Sequence, residues 1–351
     1  MEKMDIVRKP TISSLVWDSS SGLHKVQGEV IQQLGYPHLF FRYDEDIPKN
    51  TEIVIVQGPY GTLRPFIQNL INIDPTHRPI FIYWFQQSLD LFKPEILNVY
   101  VSSLFSDLNR YLGDSGFLIK SLHKIFKNLL DQKGRHLSFL GDILWLSKNK
   151  LLTVLATSST VYKDFFTHQG ICSLLVPRGY HSSYGALLNY PRDIAVVWMG
   201  KFRTKRRERS IYWLKREIEK RGLVMNIYDG KINSFIFGDH RTNILNRTWF
   251  VLNLFTNPKD ELSIRYYISA ANGAVVISEP GENKYPFVSG KHLIECNLEH
   301  MPDTIDYYIR NKSKWLAIST EMLSFLQRDV KLEETISTLI ANGEVALRKR
   351  G

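Results

Sequence analysis

Arg192-Asp-Ile-Ala-Val-Val-Trp-Met-Gly-Lys-Phe-Arg-Thr-Lys-Arg-Arg-Glu-Arg209 is the stretch on which the reading of this chain turns. Ile194–Met199 is an apolar run of strand length, of the kind found in a sheet buried on both faces. Gly200 ends it, and from Arg207 to Arg221 the pattern becomes helical. Val224–Tyr228 then supplies a returning strand, which completes a strand–helix–strand unit. The turn carries Lys201, Arg203, Lys205, Arg206 and Arg207. Cations at a helix start oppose the helix dipole, and an anion bound among them relieves that cost. Arginine's planar fork matches phosphate oxygens two at a time. Two readings stand: a solvated basic turn, or a phosphate site in which Gly200 lets the backbone pass close to the ligand.

Downstream, the alternation continues. Strands are expected at Trp249–Phe255 and Ala274–Glu279, helices at Ser263–Asn272 and Pro302–Arg310, and the tail from Trp315 is helical. Upstream, residues 178–192 hold Gly179, Gly185, Pro191 and several Ser and Tyr, the composition of a connector. Before it, strands are expected at Ile12–Trp17, Leu39–Tyr43, Ile53–Gln57, Pro79–Phe85, Leu151–Ser158 and Ile171–Pro177. Helices at Lys25–Leu34 and Leu63–Ile71 lie between them. The expectation is two successive α/β domains built on parallel sheets, with ligand at the strands' carboxyl ends in a cleft. The boundaries drawn are 1–185, 186–318, and a helical tail, 319–351, that returns to the first domain. Phe325, Leu326, Val330, Leu332, Ile336, Leu339 and Ile340 give that tail its apolar faces.

Bulk composition agrees. At 351 residues and 44% hydrophobic content the chain exceeds what one core accommodates, since single cores stop growing near ~250–300 residues. No apolar run approaches the roughly 20 residues of a membrane span, and the charged MEKMDIVRKP start does not read as a secretory signal. Cys172 and Cys296 make neither a disulfide framework nor a zinc motif. A cytoplasmic setting, with peripheral contact at the inner membrane face as a further option, is the expectation. The net charge of +10 points to an anionic partner: a phosphorylated ligand, an acidic membrane surface or nucleic acid. Nucleic acid is not expected, because Phe202 and Trp213 are few aromatics for a stacking surface.

A second stretch adds to the first: Asn257-Pro-Lys-Asp-Glu-Leu-Ser-Ile-Arg-Tyr-Tyr-Ile-Ser-Ala-Ala-Asn-Gly-Ala-Val-Val-Ile-Ser-Glu-Pro280. Ser263 suits a helix N-cap and Gly273 a helix end. Amides near Ser263 and Ile264 would face a second phosphate, and Arg265 would either reach it or pair with Asp260 or Glu261.

Residues 265–280, the downstream Pro286-Phe-Val-Ser-Gly-Lys-His292, Pro177-Arg-Gly-Tyr-His181 and the Gln57-Gly-Pro-Tyr-Gly61 turn together resemble the GT-B glycosyltransferases. Within them the likeness is to the bacterial CgeB-like, family 4-like group. The resemblance implies two Rossmann-like domains facing across a cleft. Its chemistry would be metal-independent, retaining sugar transfer from a nucleotide-diphosphate-sugar donor, without a cofactor. By it, Lys201 and Arg207 (or Arg206) hold the donor diphosphate. The family's E-x7-E carboxylates fall on Asp260 and Ile268, so the second is missing. Its N-domain histidine falls near Phe85 or Gln86, neither of which replaces it.

The candidate set is therefore Asp260, Glu261 and Glu279 as carboxylates near the sugar. Gly200, Lys201, Arg203, Arg206, Arg207, Ser263, Ile264 and Arg265 are the donor-phosphate residues. His24, Gly58, Tyr60 and His181 are the candidates on the acceptor side, and no metal ligands are assigned. The acceptor is expected to be carbohydrate, lipid-linked or another small molecule, gripped beside residues 88–130. There Lys120, Lys124 and Lys127 stand close to Phe117, Leu122 and Phe126, as on a surface that touches anionic membrane. Rival readings are a nucleic-acid-binding protein using the basic surface, and a GT-B-shaped epimerase or inactive scaffold.

Overall fold

The computed structural model describes residues 8–16, 22–58, 63–86, 133–256 and 263–350. They form two compact units, one of residues 1–176 with 336–351, the other of residues 177–335.

In the first unit, β1 (Ile12–Val16), β2 (His38–Arg42), β3 (Ile53–Gly58), β4 (Ile80–Phe85), β5 (Val154–Thr157) and β6 (Ser173–Leu175) form one sheet. Its order is β2-β1-β3-β4-β5-β6, and every pairing is parallel. β3 and β4 are buried along their whole length, which is why they read as unbroken apolar runs without alternation. Helices α1 (Gly22–Gln33), α2 (Arg64–Asn72), α3 (Lys133–Lys148) and α4 (Thr160–His168) complete the unit. Phe66, Phe81, Tyr83, Phe85, Tyr162 and Phe166 centre the core. Ser159 caps α4, its hydroxyl accepting from the Tyr162 N–H.

The second unit is a five-stranded parallel sheet: β7 (Ile194–Met199), β8 (Met225–Tyr228), β9 (Thr248–Asn253), β10 (Val275–Ser278) and β11 (Ile294–Glu295). The order is β11-β10-β9-β7-β8, so the chain reverses direction across the sheet between β7 and β9. Helices α5 (Lys205–Glu219), α6 (Gly238–Asn246), α7 (Arg265–Ala271), α8 (Met301–Arg310) and α9 (Lys312–Asp329) surround it. The last helix, α10 (Leu332–Arg348), begins in this unit and ends in the first.

The two parallel α/β units are the two Rossmann-like domains expected. The return to the first unit comes at residue 336, later than the expected 319. The reason is that α9 belongs to the second core: Trp315 and Ile318 pack in it, and the Ser319 hydroxyl donates to the Gly273 carbonyl at 2.8 Å. The connector shifts likewise, the units dividing after Val176 rather than after 185. Helix α6 and strand β11 were not foreseen.

Candidate functional site

In open parallel sheets, ligands collect at the carboxyl ends of the strands where the connection order reverses. In the second unit that point lies between β7, ending at Met199, and β9, ending at Asn253. Arg265 bridges it: Nη1 donates to the Asn253 Oδ1 at 2.8 Å and Nη2 to the Met199 carbonyl at 2.7 Å. Its guanidinium also lies over the Trp198 ring, 4.7 Å from the centroid. Burial, the nearby Arg207 and, more weakly, Arg203 lower the Arg265 pKa to about 10. The cost of keeping a cation there is offset when a ligand brings negative charge.

Gly200 follows at once. Its φ of +116° is left-handed backbone, which glycine adopts without a steric penalty, and a Cβ there would sit 3.4 Å from the Arg265 Nη2. Arg207 is buried beneath the turn, stacked on Trp198 at 4.8 Å and donating to Thr256 Oγ1 at 2.7 Å. Two arginines thus share one indole, and their fixed orientation is what Trp198, wholly buried, supplies. Thr204 caps α5 by accepting from the Arg207 N–H.

Arg206 points elsewhere. It forms a two-pronged ion pair with Glu279 at 2.9 and 2.8 Å and donates to the Phe255 carbonyl at 2.5 Å. Glu279 also accepts from the Phe255 N–H. Both carboxylate oxygens of Glu279 already have protein partners, Arg206 and the Phe255 N–H. The ion pair raises the Arg206 pKa.

A cavity of about 240 Å³ opens on this cluster, lined by Gly200, Tyr228, Phe235, Phe237, Arg241 and Arg265 among others. Ser263, Ile264 and Ile268 also face it. Ser263 is not the helix cap anticipated. Helix α7 starts two residues later with Ile264 at the cap position and no side-chain cap. The Ser263 hydroxyl is buried with no partner among the described residues. A buried hydroxyl in that state is available to a ligand. Ile268, where the family pattern has a carboxylate, presents an apolar side chain to the same cavity.

Lys201 and Arg203 do not line this cavity. They belong to a second concavity on the outer side of the turn. Asp260, Glu261 and Tyr60 lie outside the described residues, as does the 88–130 segment with Lys120, Lys124 and Lys127. His24 is buried on α1, and Gly58 ends β3 with its carbonyl accepting from the Gln86 N–H at 2.9 Å. Gln86 in turn accepts from Gln57 Nε2 at 3.0 Å. Phe85, the neighbouring candidate for the family's histidine position, is core. His181 caps the Ser182–Tyr184 turn, its ring nitrogen accepting from the Ser183 N–H at 3.2 Å. Among the described residues no three His, Cys, Asp or Glu side chains converge as a metal site would require. None of the helices among those residues is long and apolar enough to cross a membrane.

Sequence reading missed Trp198 as the platform, Asn253 as the anchor of Arg265, and the Phe235, Phe237 and Arg241 wall. The one available signal was the aromatic pair in Ser234-Phe-Ile-Phe237, two rings in a segment without strand alternation.

No protein-family model matches the chain, and no curated protein sequence matches it. Solved structures do. Sucrose-phosphate synthase from Thermosynechococcus elongatus matches with a TM-score of 0.62 at 9% identity, over 97% of this chain and 99% of that one. HepE from Anabaena, in complex with UDP-glucose, gives 0.54 at 9% identity over 97% and 99%. TarM gives 0.56 at 9% identity over 91% of this chain and 57% of its own, so this chain spans little more than half of TarM. These neighbours are GT-B glycosyltransferases, and what is shared at such identity is the fold. The GT-B expectation is met, and the narrower CgeB-like likeness rests on sequence motifs alone.

Proposed function

We propose that this protein is a glycosyltransferase whose second unit binds the nucleoside diphosphate of a sugar nucleotide and whose reaction moves the sugar to an acceptor hydroxyl. The observation behind this reading is Arg265, bonded to both strands at the point where the second sheet's order reverses, in the wall of a cavity with aromatic sides. UDP-glucose in complex with HepE, a neighbour in fold, agrees with a donor of that class.

The chemistry asked of this site is stabilisation of a leaving diphosphate. When the bond from the anomeric carbon to the phosphate oxygen breaks, negative charge grows on the diphosphate. Guanidinium groups already fixed in place stabilise that charge without reorganising. Arg265 retains donors beyond the two it spends on Asn253 and Met199. The Ser263 hydroxyl, in the wall of the same cavity, adds to it. The aromatic wall of Tyr228, Phe235 and Phe237 is the part of the cavity suited to a nucleobase. A metal-independent course is the outcome we favour, because Arg265 and Arg241 supply positive charge in the cavity wall, and a retaining course is what the family resemblance implies.

Incubation with UDP-, GDP-, ADP- and TDP-hexoses and a panel of carbohydrate and lipid-linked acceptors, with nucleoside diphosphate release as the readout, tests this. Acceptor-dependent release from one donor supports it. Conversion of a donor to an epimer without acceptor would replace it with the epimerase reading.

A further inference from the structure

The second unit has a concavity next to the donor cavity, of about 640 Å³, with Phe235 as a shared wall. Lys201, Arg203 and Lys205 line one side of it, and Lys231 with Asp229 the other. The Phe235 ring packs closely against Gly230: a Cβ there would come within 2.6 Å of it, and Gly230 has a φ of +82°.

The charges do not cancel. None of the four cations makes an ion pair or side-chain hydrogen bond with the described residues. By contrast, Arg206, Arg207 and Arg265 all have protein partners. Asp229 is 3% exposed, and its carboxylate is turned inward, accepting from the Lys231 and Ile232 N–H groups at 2.9 and 2.7 Å. Glu208 is the other carboxylate of the lining. Arg203 adds a cost of its own, with a φ of +64° that L-residues rarely adopt. Uncompensated cations around one basin repel each other, and a bound anion removes that repulsion.

We infer that this outer basin is a second anion site, distinct from the donor diphosphate site, and that it takes a phosphate monoester carried by a sugar phosphate or by a lipid headgroup. A monoester has a charge near −2, which a carboxylate does not match, and mobile lysines bind phosphate well as point charges. The inference takes Lys201 and Arg203, which the sequence reading gave to the donor phosphate, for the outer basin; it uses none of the side chains that line the donor cavity except the shared Phe235, and it stands without the donor reading.

The test is calorimetric titration of the full chain with glucose 6-phosphate, alone and with saturating nucleoside diphosphate. A parallel arm compares phosphatidic acid with phosphatidylcholine vesicles in co-sedimentation. Wild type is compared with Lys205→Gln/Lys231→Gln, two cations of the outer basin that do not line the donor cavity. The expected result is binding that persists with nucleotide present and falls about fivefold or more in the variant, since each lost charge contact is worth about that much or more. Loss in the soluble arm identifies a sugar phosphate, and loss in the vesicle arm a lipid headgroup. Displacement of glucose 6-phosphate by nucleotide, binding that ignores both substitutions, or no binding in either arm overturns the inference. Nucleotide affinity, expected unchanged in the variant, reads the donor site separately. If no nucleotide binds while the monoester still does, the donor reading fails and this one stands.

Discussion

Arg206 and Glu279, 73 residues apart in sequence, grip each other in a two-pronged ion pair at 2.9 and 2.8 Å, and both also bond the backbone of Phe255. The pair fastens the start of α5 to the segments leaving β9 and β10, all three at the carboxyl edge of the second sheet. Glu279→Ala should therefore cost about 1–2 kcal/mol, discounted for an arginine side chain 54% exposed. It should also weaken nucleoside diphosphate binding, because the turn that begins at Gly200 is no longer fastened to the ends of β9 and β10. Chemical denaturation together with nucleotide titration checks both. Tighter binding in the variant would mean that Glu279 acts only by repelling phosphate.

Gly200→Ala should weaken both folding and binding. A residue with a Cβ at φ +116° is strained by about 1–3 kcal/mol, and the new methyl would meet the Arg265 guanidinium at 3.4 Å. A drop of several degrees in melting temperature with about tenfold or greater loss of nucleotide affinity is expected. An unaltered affinity in the folded variant would separate Gly200 from the site.

Ending the chain after Thr335 should unfold the first unit. Ile336, Leu339 and Ile340 are fully buried, and a Cβ at Gly343 would meet Ile82 and Ile53, so α10 lies directly on that sheet. Glu344 accepts from the Tyr36 hydroxyl at 3.0 Å. Three such side chains contribute about 1.5–3 kcal/mol each, together comparable with a domain's whole stability. Limited proteolysis should find residues 1–176 degraded first. An unchanged unfolding profile would make α10 an appendage.

Acid should weaken the first unit through His38. Burial lowers its pKa to about 4, and Nε2 lies 2.9 Å from the Ser14 hydroxyl. A depressed histidine pKa means that the unfolded chain binds the proton more readily. The resulting penalty is absent above the ordinary value near 6.5, grows as pH falls, and is complete below about 4. It should amount to about 1–2 kcal/mol once solvent screening is allowed for. Urea melts at pH 7, 5.5 and 4.5 should show His38→Gln less pH-dependent than wild type. Parallel slopes would remove His38 as the cause.

Much of this was legible in the residues. Ile194–Met199 is both the expected and the observed strand, since a strand buried on both faces must be apolar throughout and Gly200 marks its end. β3 and β4 were legible for the same reason. Helix α6 was not, because Gly238–Asn246 opens with glycine and buries only Leu245 and Asn246, too few positions to show a period. The basic turn read as a candidate phosphate site, but how its side chains divide between two concavities was not legible. Which arginines turn inward depends on Trp198 and Asn253, whose roles come from neighbours distant in sequence. The pairing of Glu279 with Arg206 was not legible for the same reason: the two lie 73 residues apart.

The donor site itself is tested most directly by calorimetric titration of wild type and Arg265→Gln with UDP, GDP, ADP and TDP. Glutamine keeps a side chain that can bond Asn253 but removes the charge at the point where the sheet order reverses. The account predicts that one of the four binds wild type more tightly than about 1 mM, near −4 kcal/mol, and that Arg265→Gln weakens it by about tenfold or more. Failure of all four to bind wild type, or equal affinity in a folded Arg265→Gln, would contradict it.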